Sequence, residues 1–423
     1  MFLYIVKEKD TLHSIANNFN VSVQRLILDN QLVNPDKLVV GESILIRPDN
    51  FEYTVLKNDT ISSIGKKFNI SENQIYNYNS DLGEVIYPGD KIKIVYDMHD
   101  KKSMEINGFC FTDINRDVLK RTLPYLTYLS IFAYNIDEEG NIDDIDDEEL
   151  IALAYKYNVA PIMTVINMDK PGSFSSDYIS KVLNDYNKSK KLINSILAKL
   201  KEKNYYGVCF DFEYIYPQDK EAYNRFIKDA TLILNQNGYQ VLSALAPKDR
   251  SDLQGLLYTA HDYSVHGQYM DRVILMTYEW GYLYGPAMPV APIDKVEDVL
   301  IYAVNNIDSE KILMGIPNYG YDFTLPFVEG KPAKILRLTD PRNIAIDNNQ
   351  KINFDNKALT PYIIYYDNKV EHNVHFDDAR SFIEKVNLAI EYNLAGLSIW
   401  TIMDFFSPLW LVIDYYIDIV KLV

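Results

Sequence analysis

Eight short apolar runs, at 106–111, 127–134, 159–166, 206–213, 240–246, 272–278, 312–318 and 396–400, alternate with longer stretches of helical period. A strand followed by an amphipathic helix, repeated many times, has few ways to bury its faces. Parallel strands with helices packed outside them are the usual solution. Eight such units over about 320 residues predict an α/β fold, a closed (β/α)8 TIM barrel over 103–423. Over 176–203, Ile179, Val182, Leu183, Tyr186, Ile193, Ile196, Leu197 and Leu200 fall on one helical face. Asp294 and Glu297 are spaced as a cap and its reciprocal partner, and Gly238 and Gly396 follow helices where a left-handed C-cap is expected. The interval between strands seven and eight is overlong. Residues 323–375 read as a small α+β insertion forming one wall of a cleft.

Composition removes several alternatives. Hydrophobic residues are 48% and charged residues 24% of the 423, which excludes wholesale disorder. A formal charge of −17 repels phosphate backbones, so no nucleic-acid partner is expected. No apolar run approaches the ~20 residues of a membrane helix, so no membrane insertion is expected. Residues 1–10 lack a basic start, a long apolar stretch and a cleavage site, and read as a strand and not a secretory signal. Cys110 and Cys209 fall in predicted strands and read as small buried hydrophobes. The six histidines show no ligand spacing, so no structural metal is expected.

Ahead of the barrel the chain repeats itself. Lys9-Asp10-Thr11, Ser14-Ile15 and Phe19-Asn20-Val21-Ser22 recur 49 residues later as Asn58-Asp59-Thr60, Ser63-Ile64 and Phe68-Asn69-Ile70-Ser71. Asn30 matches Asn79, and Gly41 matches Gly89 after one deleted position, each glycine leading into an alternating strand. Both copies read strand, helix, helix, strand, with Asp10 and Asp59 placed as N-caps. This order resembles the LysM module, once over 1–48 and again over 50–97, with 97–103 as linker. The resemblance implies binding of glycans that contain N-acetylglucosamine, chiefly peptidoglycan and chitin, in a shallow groove. Asp10, Thr11 and Leu12 with Asn30 to Leu32, and Asp59, Thr60 and Ile61 with Asn79 to Asp81, are then the groove candidates. The Asp and Thr side chains read equally well as plain helix caps.

The chemistry is expected at the C-terminal ends of the barrel strands. In strand four, alternation puts Cys209, Asp211 and Glu213 on one face and Val208, Phe210 and Phe212 on the other. The apolar set must face the helices, leaving two carboxylates in the barrel mouth, where unpaired charge is costly. Neighbouring carboxylates let glycosidases divide acid and stabilising roles, because proximity and burial keep one of them protonated. Strand six ends with Met276 and Tyr278 on one face, and strand eight ends on Trp400.

This set resembles the family 18 glycoside hydrolases. The family motif Asp-x-x-Asp-x-Asp-x-Glu maps onto Tyr206, Cys209, Asp211 and Glu213, matching at the last two. Met-x-Tyr maps onto Met276 and Tyr278, and the strand-eight tryptophan onto Trp400. Ser243 to Lys248, His261-Asp262-Tyr263, Met276 to Gly281 and Phe376 to Ser381 look like the spore-cortex-lytic N-acetylglucosaminidases, which carry two N-terminal LysM modules. The resemblance implies retaining, substrate-assisted hydrolysis with Glu213, Asp211 and Tyr278 catalytic and with no metal or organic cofactor. Trp400, Met276, Glu279, Asn318 and Tyr319 are expected to bind substrate, and Asp10, Thr11, Asn30, Asp59, Thr60 and Asn79 to hold glycan. A monomer is expected on peptidoglycan at the spore coat or cortex surface, and otherwise in the cytoplasm. A chitinase of the same mechanism and a non-catalytic glycan-binding coat protein are the alternatives. Cys209, standing where the wider family has an aspartate, predicts an altered pH profile.

Overall fold

The computed structural model describes residues 1–423 except 69, 84, 97–99 and 171. Asn69 of the second repeat and residues 97–99 of the expected linker therefore lie outside the described residues.

Eight parallel strands form the barrel: Lys102–Phe111, Tyr128–Asn135, Ala160–Ile166, Gly207–Asp211, Gln240–Leu245, Arg272–Leu275, Ile312–Pro317 and Gly396–Trp400. Strand eight returns to strand one, with Gly396 opposite Glu105 and Ile399 opposite Gly108, which closes the sheet. A short strand, Ile417–Ile419, runs beside the foot of strand one. Two apolar layers follow from the alternation. Val208, Phe210 and Phe212 join the core between strands and helices, whereas Cys209, Leu242, Ile274 and Leu313 fill the interior. Cys110 and Cys209 are both buried and free. At the foot, Arg272 Nε donates to Glu105 (2.6 Å), and the Tyr128 hydroxyl donates to the same carboxylate (3.1 Å).

Between strands seven and eight lies a five-stranded antiparallel sheet, from Gly320–Leu325 to Val370–His375, with one helix, Asp340–Asp347. The insertion begins slightly earlier than the sequence suggests.

Local chemistry changes three other details. The stretch 176–203 is two helices, Ser176–Leu183 and Tyr186–Lys203, because Asp185 accepts hydrogen bonds from Asn187 N and Lys188 N and starts the second one. The break shifts the register, leaving Tyr186 71% exposed and burying Leu192. Asp294 caps nothing. Helix Ile293–Ala303 starts after Pro292, and Asp294 pairs with Lys357 while Glu297 accepts from the Tyr392 hydroxyl. Gly238 has the expected positive φ (+85°), but Gly396 does not; Asn393 (φ 51°) turns the chain after helix Ala379–Glu391. Gly396 is required for a different reason, since a Cβ there would meet Glu105 O at 1.7 Å across the barrel seam.

Each N-terminal module pairs its first and last strands antiparallel, Phe2–Ile5 with Ser43–Ile46 and Phe51–Thr54 with Lys91–Ile94. Helices Leu12–Phe19 and Val23–Asp29, then Ile61–Phe68 and Glu72–Tyr78, lie between. The N-caps are Thr11 and Thr60, not the aspartates. Thr11 Oγ1 accepts from Ser14 N, and Thr60 Oγ1 from Ser63 N (3.0 Å each). Asp10 instead accepts from the Tyr4 hydroxyl (2.7 Å) and Lys7 N (2.8 Å), and Asp59 from Tyr53 and Leu56 N at the same distances. Each aspartate thus ties the first strand to the turn that follows it, one residue ahead of the cap. Asn30 and Asn79 are also used alike: each amide bonds a helix carbonyl four residues back and exchanges two hydrogen bonds with the last strand, at Leu45 and Lys93.

Candidate active site

A cleft of about 1170 Å³ opens at the C-terminal ends of the strands. Asp211 and Glu213 line it with Met276, Tyr278, Glu279 and Trp400. Asp211 is 4% exposed, and its Oδ1 is buried without a hydrogen-bond partner among the described residues. Burial pushes the Asp211 carboxyl up. The Glu213 carboxyl is pushed well up, first by burial and then by the charges of Asp211 and Glu279. A carboxylic acid held protonated beside a second carboxyl is the division of roles that glycosidic cleavage needs.

The backbone carrying these acids is clamped from both sides. Asn167, fully buried just after strand three, accepts from Glu213 N (3.0 Å) and donates to Glu213 O (2.9 Å) and Ser175 O (3.1 Å). On the other side, Ala246 N donates to His261 Nδ1 (2.9 Å), so the ring hydrogen is on Nε2, which donates to Phe212 O (3.0 Å). Burial holds the His261 pKa down to about 4 and keeps this ring neutral. The Tyr263 hydroxyl donates to Ala246 O (2.7 Å) and accepts from Lys248 N (3.0 Å), tying the end of strand five to the same loop. Asn167 was not among the residues expected from sequence; its partner lies 46 positions away and no local pattern signals it.

The Tyr278 phenol is 9% exposed, and burial, followed by the Asp211, Glu213 and Glu279 charges, raises its pKa far enough to keep it a neutral donor. Its ring sits over Gly315 of strand seven. A Cβ at Gly315 would meet Tyr278 Cε1 at 2.8 Å and Leu275 O at 2.5 Å, so glycine sets the depth of the phenol. Trp400 lies at the floor, with Phe132, Phe109 and Phe111 edge-on at 5.1, 5.4 and 6.1 Å between ring centroids. Cys209 lies beneath, fully buried, its thiol pKa raised by desolvation and by Asp211, so it stays protonated.

Glu279 follows strand six with φ of 69°, a strained conformation for a residue with a side chain. Its carboxylate accepts from the hydroxyls of Tyr319 and Tyr321 (2.9 Å from the latter). Through these two tyrosines the insertion reaches the site, but no insertion residue lines the cleft. The walls are instead the hairpin Met168–Lys170 to Ser173–Phe174 and the segments around Tyr258 and Tyr282. Tyr319 and Tyr321 follow strand seven closely, and their hydroxyls both go to Glu279, so this end of the insertion backs that carboxylate. Asn318 is 5% exposed and is not a lining residue; its amide donates to Thr401 O (2.8 Å) and Asp404 O (2.9 Å), fixing the loop after strand eight. Among the described residues, no group of three His, Cys, Asp or Glu could hold a metal ion.

Comparison with known proteins agrees with this geometry. The family model described as glycosyl hydrolases family 18 matches residues 96–404, and the LysM domain matches 4–47 and 53–95. A cortical fragment-lytic enzyme of Bacillus subtilis (strain 168) is 35% identical over 429 residues, covering 100% of this chain and 99% of the relative. The crystal structure of the spore cortex-lytic enzyme SleL of Bacillus megaterium QM B1551 matches with a TM-score of 0.88 at 35% identity, over 100% of this chain and 99% of that one. SleL of Bacillus cereus gives 0.86 at 30% identity, over 99% and 98%. Two carboxyls at the mouth of a closed barrel and a family match across most of the chain lead to one conclusion: this protein belongs to glycosyl hydrolase family 18, and two LysM domains precede its catalytic barrel.

Proposed function

We propose that the enzyme cleaves the β-1,4 bond after N-acetylglucosamine in spore cortex peptidoglycan, with retention and with the substrate's own acetamido group as nucleophile. The carrying observation is the acid pair: Glu213, held protonated by burial and by its neighbours, beside an Asp211 whose Oδ1 has no partner among the described residues. Glu213 gives its proton to the glycosidic oxygen as the C1–O bond breaks. The acetamido carbonyl oxygen closes on C1, forming an oxazolinium ring and inverting that centre. The Glu213 carboxylate then takes a proton from water, which attacks C1, reopens the ring and inverts the centre again. Asp211 accepts from the acetamido N–H and stabilises the positive charge on the ring, while Tyr278 donates to the acetamido oxygen. Trp400 stacks beneath the reacting sugar, and Met276 and Glu279 shape the subsite around it, with Tyr319 holding the Glu279 carboxylate from behind.

The relatives, a cortical fragment-lytic enzyme and a spore cortex-lytic enzyme, support cortex as the substrate and the spore as the location. The LysM domains support retention on peptidoglycan through sugar contacts, which raises the local substrate concentration at the cleft. No helix among the described residues is long and apolar enough to cross a membrane. Side-by-side digestion of purified spore cortex and N-acetylglucosamine oligomers, with mass spectrometry of the products, tests the assignment. Release of cortex fragments ending in reducing N-acetylglucosamine is expected. Efficient cleavage of the oligomers with intact cortex would make the enzyme a chitinase.

A further inference from the structure

The two LysM domains share a fold but not an environment. In the first, the last strand reads Ser-Ile-Leu-Ile, and Ile44, Leu45 and Ile46 are all fully buried. In the second, it reads Lys-Ile-Lys-Ile, and only the two isoleucines are buried. The extra buried face of the first domain belongs to the catalytic body: Val39 and Leu45 join the barrel's own apolar core. Their counterparts, Tyr87 and Lys93, are exposed.

Polar contacts repeat the contrast. Glu42 in the first domain and Asp90 in the second both brace the turn before the last strand, accepting from Val39 N and Tyr87 N. The other oxygen of Glu42 takes Arg342 Nε of the insertion helix at 2.8 Å, with the two side chains only 6% and 12% exposed. The same guanidinium donates to Val33 O and Lys37 O. Ser407 N donates to Gln31 Oε1 and Ile352 N to Val40 O (3.0 Å each). Gly41 and Gly89 have matching φ values of +87° and +100°, yet a Cβ on Gly41 would meet Ile352 O at 2.0 Å, while one on Gly89 meets nothing within 4 Å. Against the barrel, the loop 30–33 leaves a gap of only about 60 Å³, too small for a sugar ring.

We propose that the two domains divide their labour. The first is a fixed part of the catalytic body with its second loop closed off, and the second alone takes up N-acetylglucosamine glycan. This rests on the reading of the LysM domains as glycan holders.

Hydrogen exchange on the full-length Glu213→Gln protein, with and without a linear N-acetylglucosamine tetramer, tests it. At least threefold slower exchange is expected at 57–62 and 79–83, with no change at 8–13 and 30–34. Slowing in the first domain, alone or together with the second, overturns the division of labour and leaves the holding role standing; slowing in neither overturns both. Exchange without glycan tests the dock independently. Leu45→Lys, which installs the residue the second domain already tolerates at that position, should speed exchange at 340–352 at least tenfold, while Lys93→Leu leaves that segment unchanged. Unchanged exchange at 340–352 in Leu45→Lys would overturn the fixed role of the first domain.

Discussion

Replacing Asn167 with alanine should harm catalysis without touching any group that meets substrate. The amide makes three hydrogen bonds, two to the backbone of Glu213 and one to Ser175 O, from a fully buried position. Leaving a buried polar group unpaired costs about 1–3 kcal/mol, and part of that returns if water enters from the cleft. The fold should therefore lose roughly 2–4 kcal/mol, which a 49.0 kDa protein read by thermal melting reports as a clear downward shift. Glu213 stays chemically intact but is held from only one side. A misplacement of about 1 Å costs on the order of 100-fold in rate. Turnover of an aryl N-acetylglucosaminide should accordingly fall about 100-fold with KM nearly constant, measured well below the melting transition. A variant that melts early yet turns over within twofold of wild type would show that the amide supports the fold and does not position the acid.

Glu213→Gln should lower hydrolysis of a sugar leaving group about 10²–10⁴-fold while leaving glycan binding intact by calorimetry, because only proton transfer is lost; near-normal turnover would remove Glu213 from the role of acid. The acid must be protonated to act, so activity falls as pH rises through the raised pKa of Glu213. Glu279 contributes to raising it, and Glu279→Gln should move the alkaline limb of the pH–rate profile to lower pH. An unmoved limb would mean that the Glu279 charge is not felt at the acid. His261, His266 and His375 are buried with pKa values lowered to about 4, 3 and 4, chiefly by desolvation. The unfolded chain takes up these protons near pH 6.5 and the folded one only much lower, so the stability they confer is complete above 6.5 and is lost as pH falls towards 4. At pH 5 the loss is about 2 kcal/mol for each ring, and a melting temperature that stays flat between pH 7 and pH 5 would contradict it.

Much of this architecture was legible because it rests on periodicity. The two-residue period of strand four separates Phe210 and Phe212 from Cys209 and Asp211 in the sequence as in the structure, since water exclusion acts on one side chain at a time. What escaped were features that depend on partners distant in the chain. Asn167 looks like any polar residue after a strand until Glu213 is placed beside it. Aspartate and threonine both cap well, so the sequence places the N-cap one residue early, and only the bond from Tyr4 shows that Asp10 is already engaged. Tyr186 kept the helical period but sits just past a break that Asp185 imposes. The last strands of the two repeats read alike from their isoleucines, and Leu45 differs from Lys93 because only the first domain lies against the barrel.

The seam between strands one and eight joins segments far apart in the chain; Asn107 and Ser398, bonded across it, are separated by 291 residues. Pairing at that separation carries a large loop-closure cost before any contact repays it, so this is a slow step of assembly. Trp400 comes with strand eight, so this part of the cleft lining arrives only when the ring of strands joins up. A ribosome-bound chain still lacking that segment holds both acids but an open ring of strands, and the cleft is completed only once the last strand is in place.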